Sequence, residues 1–362
     1  MGRFETRRNK LRRALARAGA SALLVTDFTN VTYLTGFTGD DSILLVRKDG
    51  DTLLSDGRYT TQISEECPGL DAVIRSPKTG MSDAVTRLVR STGAGRVAIE
   101  ADSLTVSLFE QLGRKLPKTE LLSTSGLVAE LRMRKDREEV ACIRRAITCA
   151  EDAFAAVCGS LSPEKTERQV ADELVFAMGR LGAQGPSFPP IVAAGARAAL
   201  PHAPLTGQPI GDGGFVLMDW GARVDLYVSD LTRVVIPGKL SAKLRRVYSV
   251  VLEAQRKAIE AIRPGVAAKD VDAVARGIIA DAGYGRRFGH GLGHGIGLEV
   301  HEAPRLAATS ETVLQAGMVV TVEPGVYLPG WGGVRIEDDV LVTRTGCEVL
   351  SSAAKQLEEV CT

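Results

Sequence analysis

The chain has 362 residues, 44% of them hydrophobic and 25% charged, the profile of a soluble globular protein with room for two or three domains. Lys and Arg total 45 against 44 Asp and Glu, a net charge of +1, so no basic excess points to a nucleic-acid partner. The apolar run at 22–25 is far too short to cross a membrane. The six cysteines (Cys67, Cys142, Cys149, Cys158, Cys347 and Cys361) form no Cys-x-x-Cys pair, which suits free thiols in the cytoplasm better than a disulfide framework.

In chain order, Leu11, Leu15 and Ala18 are spaced for one face of a helix over 3–19 that stops at Gly19. A short buried strand follows at 22–26. Residues 42–46 and 51–55 read as a hairpin around Lys48-Asp49-Gly50. Residues 83–90 and 106–116 look helical, and 96–100 looks like a strand between them. Strands alternating with helices make 1–125 an α/β domain. From about 126 the texture changes, with a charged, Ala-rich helical stretch at 131–158. A second helix is expected from Ser162-Pro163 to Gly182.

Three of the four histidines (His290, His294 and His301) fall within the Gly-rich stretch 288–301. Gly lets the backbone turn sharply and be approached closely. Histidine in such a run points to metal ligation or proton handling. Two strands before it carry acids, Asp219 in 214–221 and Asp230 in 226–235. Aspartate is depleted in strands, so both ask for a reason. A hairpin centred on Val224-Asp225 sets Asp219 opposite Asp230, close enough to repel unless a proton or cation intervenes. Residues 318–323 and 333–337 repeat the pattern around Gly330, setting Glu323 opposite Glu337, with Arg335 on the same strand face as Glu337. Four carboxylates and one imidazole form an oxygen-rich donor set that suits two divalent first-row ions. Mn²⁺ or Co²⁺ fits it better than a thiolate-seeking metal; Zn²⁺ and Fe²⁺ are other candidates.

These residues resemble the metallopeptidases of the pita-bread fold, in the branch of Xaa-Pro aminopeptidases and Xaa-Pro dipeptidases (prolidases). The resemblance spans essentially the full length. It rests on Thr-Asn-Val-Thr-Tyr-Leu-Thr-Gly-Phe-Thr-Gly at 29–39 and Ser-Asp-Gly-Arg-Tyr at 55–59. It rests also on Asp219 in Asp-x-Gly-Ala, Asp230 in Ser-Asp-x-Thr-Arg, His294 in Gly-His-Gly-Ile-Gly, Glu323 in Val-Glu-Pro-Gly, and Glu337 in Val-Arg-Ile-Glu-Asp. It implies a creatinase-like α/β domain over 1–125 and an α+β pita-bread catalytic domain over 126–362. It implies two divalent ions bridged by Asp230 and Glu337, with Asp219 completing one site and His294 with Glu323 the other. A bridging hydroxide would attack the bond before proline, Glu323 would shuttle the proton, and His301 would help to stabilise the oxyanion. His202 and Arg335 would position the substrate or the bridging carboxylate, and His290 and Tyr227 would contact the substrate. The implied substrates are short proline-containing peptides, and the implied assembly is a homodimer whose N-terminal domain covers an active-site mouth.

Val224, Leu226, the run Phe188-Pro189-Pro190 and Asp40-Asp41 depart from the family pattern and bear on specificity rather than on the ligand set. Three other readings stand beside this one. A methionine-aminopeptidase-like enzyme shares the ligands but usually lacks the first domain. A creatinase-like hydrolase works without the metal set, and a non-catalytic pita-bread binding module would have lost ligands.

Overall fold

A computed structural model describes residues 2–237 and 240–356. Contacts divide the chain into two units, the first ending at Arg132 and the second starting at Met133.

The first unit is built on six strands: β1 (Ala22–Val25), β2 (Ile43–Arg47), β3 (Asp51–Asp56), β4 (Asp71–Arg75), β5 (Arg96–Glu100) and β6 (Glu120–Thr124), in spatial order β4-β3-β2-β1-β5-β6. The expected hairpin is present, with Val46 registered against Asp51. Helix α1 (Arg3–Arg17) buries Leu11, Ala14 and Leu15, the apolar stripe its spacing predicts. Helices α2 (Phe28–Thr35), α3 (Thr60–Glu66), α4 (Met81–Ser91) and α5 (Val106–Lys115) follow in this unit. Asp27 caps α2 by accepting from Asn30 N, and Gly36 ends it at φ 85°, a left-handed turn that glycine takes without penalty.

The unit ends later than the change in composition near 125 suggests, and the reason is local bonding. Tyr33 Oη donates to Leu131 O at 3.2 Å, and Arg132 Nη1 donates to Asn30 Oδ1 at 2.9 Å. These bonds hold the short helix α6 (Ala129–Arg132) to the first unit.

Two helix starts fall later than their sequence signals. The stretch expected to be helical from 131 begins at Arg137 in α7 (Arg137–Cys158), where Asp136 and Glu139 form a capping box. The Ser162-Pro163 start is replaced by α8 (Glu167–Arg180), which Thr166 and Gln169 cap in the same way. Reciprocal capping satisfies two orphan N–H groups at once, which Ser-Pro does not do.

The second unit continues with β7 (Gly185–Pro186), β8 (Ile191–Ala194), β9 (Val216–Trp220), β10 (Ala222–Val224), β11 (Tyr227–Val228) and β12 (Leu231–Val235). Two long helices follow, α9 (Ala242–Ala261) and α10 (Ala268–Asp281). The chain then forms β13 (Gly293–Gly295), β14 (Glu302–Leu306), β15 (Val319–Val322), β16 (Gly325–Leu328), β17 (Gly332–Arg335), β18 (Asp338–Val342) and β19 (Cys347–Val349).

Alternation along β9 shows how the layers stack. Val216, Met218 and Trp220 face a core shared with α7 and α8, where Trp220 stacks on Phe154 with ring centroids 4.3 Å apart. Leu217 faces the opposite core, shared with α9 and α10. By the same alternation Asp219 points to the α9/α10 side. Helices therefore flank a central set of small sheets on both faces.

Cys67, Cys142, Cys149 and Cys347 are free, but Cys158 is disulfide-bonded, which departs from the expectation of free thiols. Cys361 lies outside the described residues. Among the described residues no helix is long and apolar enough to cross a membrane.

Candidate metal centre and active site

The hairpin that carries the first two acids turns at Asp225-Leu226, not at Val224-Asp225. Val224 pairs with Tyr227, and the same register continues to Trp220 with Leu231 and Asp219 with Thr232. Both turn residues have positive φ, 49° and 71°, as a two-residue hairpin loop of the primed kind requires. Asp219 therefore faces Thr232 rather than Asp230. Asp230 is two residues before Thr232, so it remains on the Asp219 face as a diagonal neighbour.

The second hairpin keeps the expected centre. Gly325 pairs with Arg335 and Leu328 with Gly332, while Val322 pairs with Asp338. That register places Glu323 across from Glu337 where β15 gives way to β16.

His294 enters from β13. The β13–β14 ladder shifts register between His294 and Gly295, an irregularity that re-aims a side chain. Its Nε2 sits 3.3 Å from Glu323 Oε1 and 3.7 Å from Asp230 Oδ2. Backbone approaches here are close enough to demand glycine: a Cβ on Gly293 would lie 2.0 Å from Thr321 O, and one on Gly295 would lie 2.1 Å from Ala303 O.

Ligand atoms of Asp230, His294 and Glu337 all lie within 4.8 Å of one another, and all three residues are buried. Burial, with the neighbouring carboxylates adding repulsion, pushes the carboxyls of Asp230 and Glu337 well above their ordinary range. Burial also raises Asp219 against the pull of Arg335. At Glu323 burial pushes upward too, but the hydrogen bond and charge of His294 outweigh it and hold the carboxyl below its usual value. Asp219 Oδ1 is buried with no hydrogen-bond partner. A buried, unsatisfied carboxylate oxygen beside mutually repelling acids is what a cation would relieve. Asp219, Asp230, His294, Glu323 and Glu337 fit divalent metal in this respect.

Arg335 holds the set together. Its Nη2 donates to Asp219 Oδ2 at 2.5 Å, its Nε to Thr232 Oγ1 at 3.0 Å and its Nη1 to Tyr327 Oη at 2.8 Å. Thr232 Oγ1 in turn donates to Glu337 Oε2 at 2.6 Å.

A cavity of about 1060 Å³ opens onto these residues, and Asp219, Asp230, His294, Glu323, Arg335 and Glu337 all line it. His202, His290 and His301 line it as well. His290 Nε2 meets Tyr327 Oη at 2.9 Å, and burial lowers the pKa of His290 although Glu323 opposes this. His301 packs edge-on against His294 at 4.4 Å between ring centroids. Burial, then the charge of His294, lower its pKa.

Tyr227 does not join them. It is buried away from the cavity lining, with its hydroxyl 3.0 Å from Glu139 Oε1. Its strand alternation carries it to the face that α7 covers. The tyrosine at the site is Tyr327, which sequence reasoning missed. Period-two spacing from Glu323 through Gly325 to Tyr327 was the available signal. Burial outweighs the opposing pull of Arg335 and pushes the Tyr327 hydroxyl up to about 12, so it remains protonated at neutral pH. Arg305, which also lines the cavity, was missed in the same way.

Buried carboxylates and histidines gathered on the wall of one cavity are the donor set of a metal-dependent hydrolase. The profile of metallopeptidase family M24 matches residues 141–344, and that of the creatinase/prolidase N-terminal domain matches 7–134. The chain belongs to metallopeptidase family M24 and has its two-domain pita-bread fold. It is similar to the Xaa-Pro dipeptidase of Pyrococcus horikoshii, at 36% identity over 93% of this chain and 94% of that one. Among solved structures, an Xaa-Pro dipeptidase from Bacillus anthracis superposes with a TM-score of 0.94 at 40% identity, covering 98% of this chain and 99% of that one. An X-Pro aminopeptidase from Thermotoga maritima superposes with a TM-score of 0.88 at 35% identity, covering 95% and 99%.

Proposed function

We propose that this metallopeptidase hydrolyses the bond between an N-terminal residue and proline in short peptides. The observation that carries the reading is the full set of five donors lining one cavity, with Asp219 Oδ1 left unsatisfied. Asp219, Asp230, His294, Glu323 and Glu337 would hold two divalent ions, Mn²⁺ or Co²⁺ by their oxygen-rich chemistry. When bound, such ions supply an activated water and polarise the scissile carbonyl.

The chain's own groups do the rest. Glu323 brings a carboxylate oxygen to 3.3 Å from His294 Nε2 on the cavity wall, so it would accept a proton and return it to the proline nitrogen. His301, at the cavity wall beside His294, would donate to the developing oxyanion. Arg335 fixes Asp219 directly and Glu337 through Thr232. His202 lines the same cavity and would contact the peptide, as would His290. The creatinase-like domain over 1–125 and the homodimer belong to the same proposal and rest on the family resemblance, and a cytoplasmic location belongs to it by the scattered cysteines without a Cys-x-x-Cys pair.

The test is proline release from Ala-Pro beside cleavage of a longer Ala-Pro peptide, with added Mn²⁺ and with chelator. Turnover of the dipeptide alone defines a dipeptidase, and turnover of the longer peptide an aminopeptidase. Chelator should abolish either activity. No turnover of either substrate with Mn²⁺ or Co²⁺ present would overturn the reading.

A further inference from the structure

Strand β12 meets the residue just before β18 across an isolated backbone bridge, Thr232 with Glu337, beside the two bridging acids. One bridge fixes a spacing weakly, so other bonds must hold Asp230 and Glu337 at their separation. Arg233, fully buried, supplies several of them. Its Nη1 donates to Thr232 O at 2.9 Å and to Glu337 O at 2.6 Å, gripping both sides of the bridge. Its Nη2 donates to Asp338 Oδ1 at 2.8 Å.

The remaining donors of Arg233 reach a segment distant in sequence. Nη2 also donates to Ala353 O at 2.7 Å, and Nε donates to Ala354 O at 3.0 Å. Lys355 Nζ then closes on Asp338 Oδ2 at 2.5 Å, beside Gln255 Nε2 at 2.7 Å. The start of the same segment is tied to the other bridging acid. Asp230 N donates to Asp339 Oδ2 at 3.2 Å, Asp339 N donates to Ser351 Oγ at 2.9 Å, and Leu350 N donates to Asp339 O at 2.8 Å. Outside, Glu151 on α7 accepts from Ser352 N and, at 2.6 Å, from Ala353 N.

We infer that residues 350–355 form a positioning strap for the metal centre: through Arg233, Asp338 and Asp339 they set the separation of Asp230 and Glu337, and with it the affinity for divalent cations. Neither Arg233 nor any strap residue lines the cavity, so these are positioning residues and not catalytic ones. The inference rests on the metal-ligand reading proposed above. Partners behind a metal's own ligands typically carry 10- to 100-fold in affinity or activity.

The test is calorimetric titration of metal-free full-length protein with Mn²⁺, alongside thermal unfolding of the same metal-free samples. Lys355→Met should weaken Mn²⁺ binding about 10-fold while kcat at saturating Mn²⁺ and KM stay near wild type. Lys355→Arg should restore the affinity. A chain ending at Leu350 should lose more, since Arg233 then has two buried donors unanswered. If that truncation does not fold, Lys355→Met still decides. Unchanged Mn²⁺ affinity in Lys355→Met, with or without a lower metal-free melting temperature, assigns the strap to folding alone and overturns the inference. Wild-type protein that takes up no Mn²⁺ would overturn the metal-site reading itself.

Discussion

Arg335 Nη2 donates to Asp219 Oδ2 at 2.5 Å, although the two residues stand on different hairpins. The guanidinium also donates to Thr232, Tyr327 and Pro201 O, so one planar fork orients an acid from the first hairpin and, through Thr232, Glu337 from the second. Lysine carries the same charge without the fork. Arg335→Lys should therefore lower kcat/KM by about 10- to 100-fold. Steady-state kinetics on an Xaa-Pro substrate at saturating Mn²⁺ reads this, and near-normal kcat/KM would remove Arg335 from its positioning role.

The Gly-rich run is predicted to resist even the smallest side chain. A Cβ at Gly295 would sit 2.1 Å from Ala303 O, a contact with backbone that no rotamer can relieve. Overpacking of this kind costs about 1–3 kcal/mol or more. Gly295→Ala should melt several degrees below wild type and lose metal-dependent turnover, because the same residue sets the path of His294. Gly289→Ala is the control, since nothing lies within 4 Å of its added carbon. Equal melting temperatures for the two variants would contradict the close-approach account.

Much of the site was legible because a sheet's side-chain period is two. The first hairpin's turn was misplaced by one residue, which moved the pairing by two and left Asp219 and Asp230 on one face all the same. That is why the acids converge although they are not directly opposed. The Glu323–Glu337 pairing was read with its true centre, because the Pro/Gly-rich segment around Gly330 marks the turn. Tyr227 misled because a tyrosine beside a catalytic hairpin looks functional, and only the packing of α7 shows that its hydroxyl meets Glu139. Helix starts were misjudged where Asp136 and Thr166 cap the backbone reciprocally, since a charged Ala-rich stretch looks equally helical on either side of a cap. The Arg233 network was not legible at all, because it joins residues more than a hundred positions apart.

The turn of the first hairpin stores strain that a substitution can release. Leu226 adopts φ 71°, a left-handed conformation that costs a side-chain-bearing residue about 1–2 kcal/mol. Glycine pays no such penalty but loses about 0.5–1 kcal/mol in chain entropy. Leu226→Gly should thus gain up to about 1 kcal/mol and raise the melting temperature by a few degrees. The Leu226 N–H bond to Gln184 Oε1 at 2.8 Å is a backbone donor and survives the change. A lower melting temperature would show that the leucine side chain contributes packing larger than the strain.

Lys135 and Glu302 form a buried ion pair at 3.1 Å, with side chains 1% and 5% exposed. Glu302 also accepts from Leu298 N at 2.9 Å and Glu299 N at 3.2 Å, so its carboxylate shapes the loop that delivers His301. Lys135→Met takes the cation away from that buried carboxylate, a change that typically costs about 3–5 kcal/mol. Glutamine at 302 keeps an acceptor for the loop N–H groups without the charge. The double variant Lys135→Met/Glu302→Gln should therefore recover much of the stability that Lys135→Met loses. Denaturant melts of wild type, both single variants and the double variant give the coupling energy directly. Additive losses would mean that the pair is not coupled and that the His301 loop is held by its backbone alone.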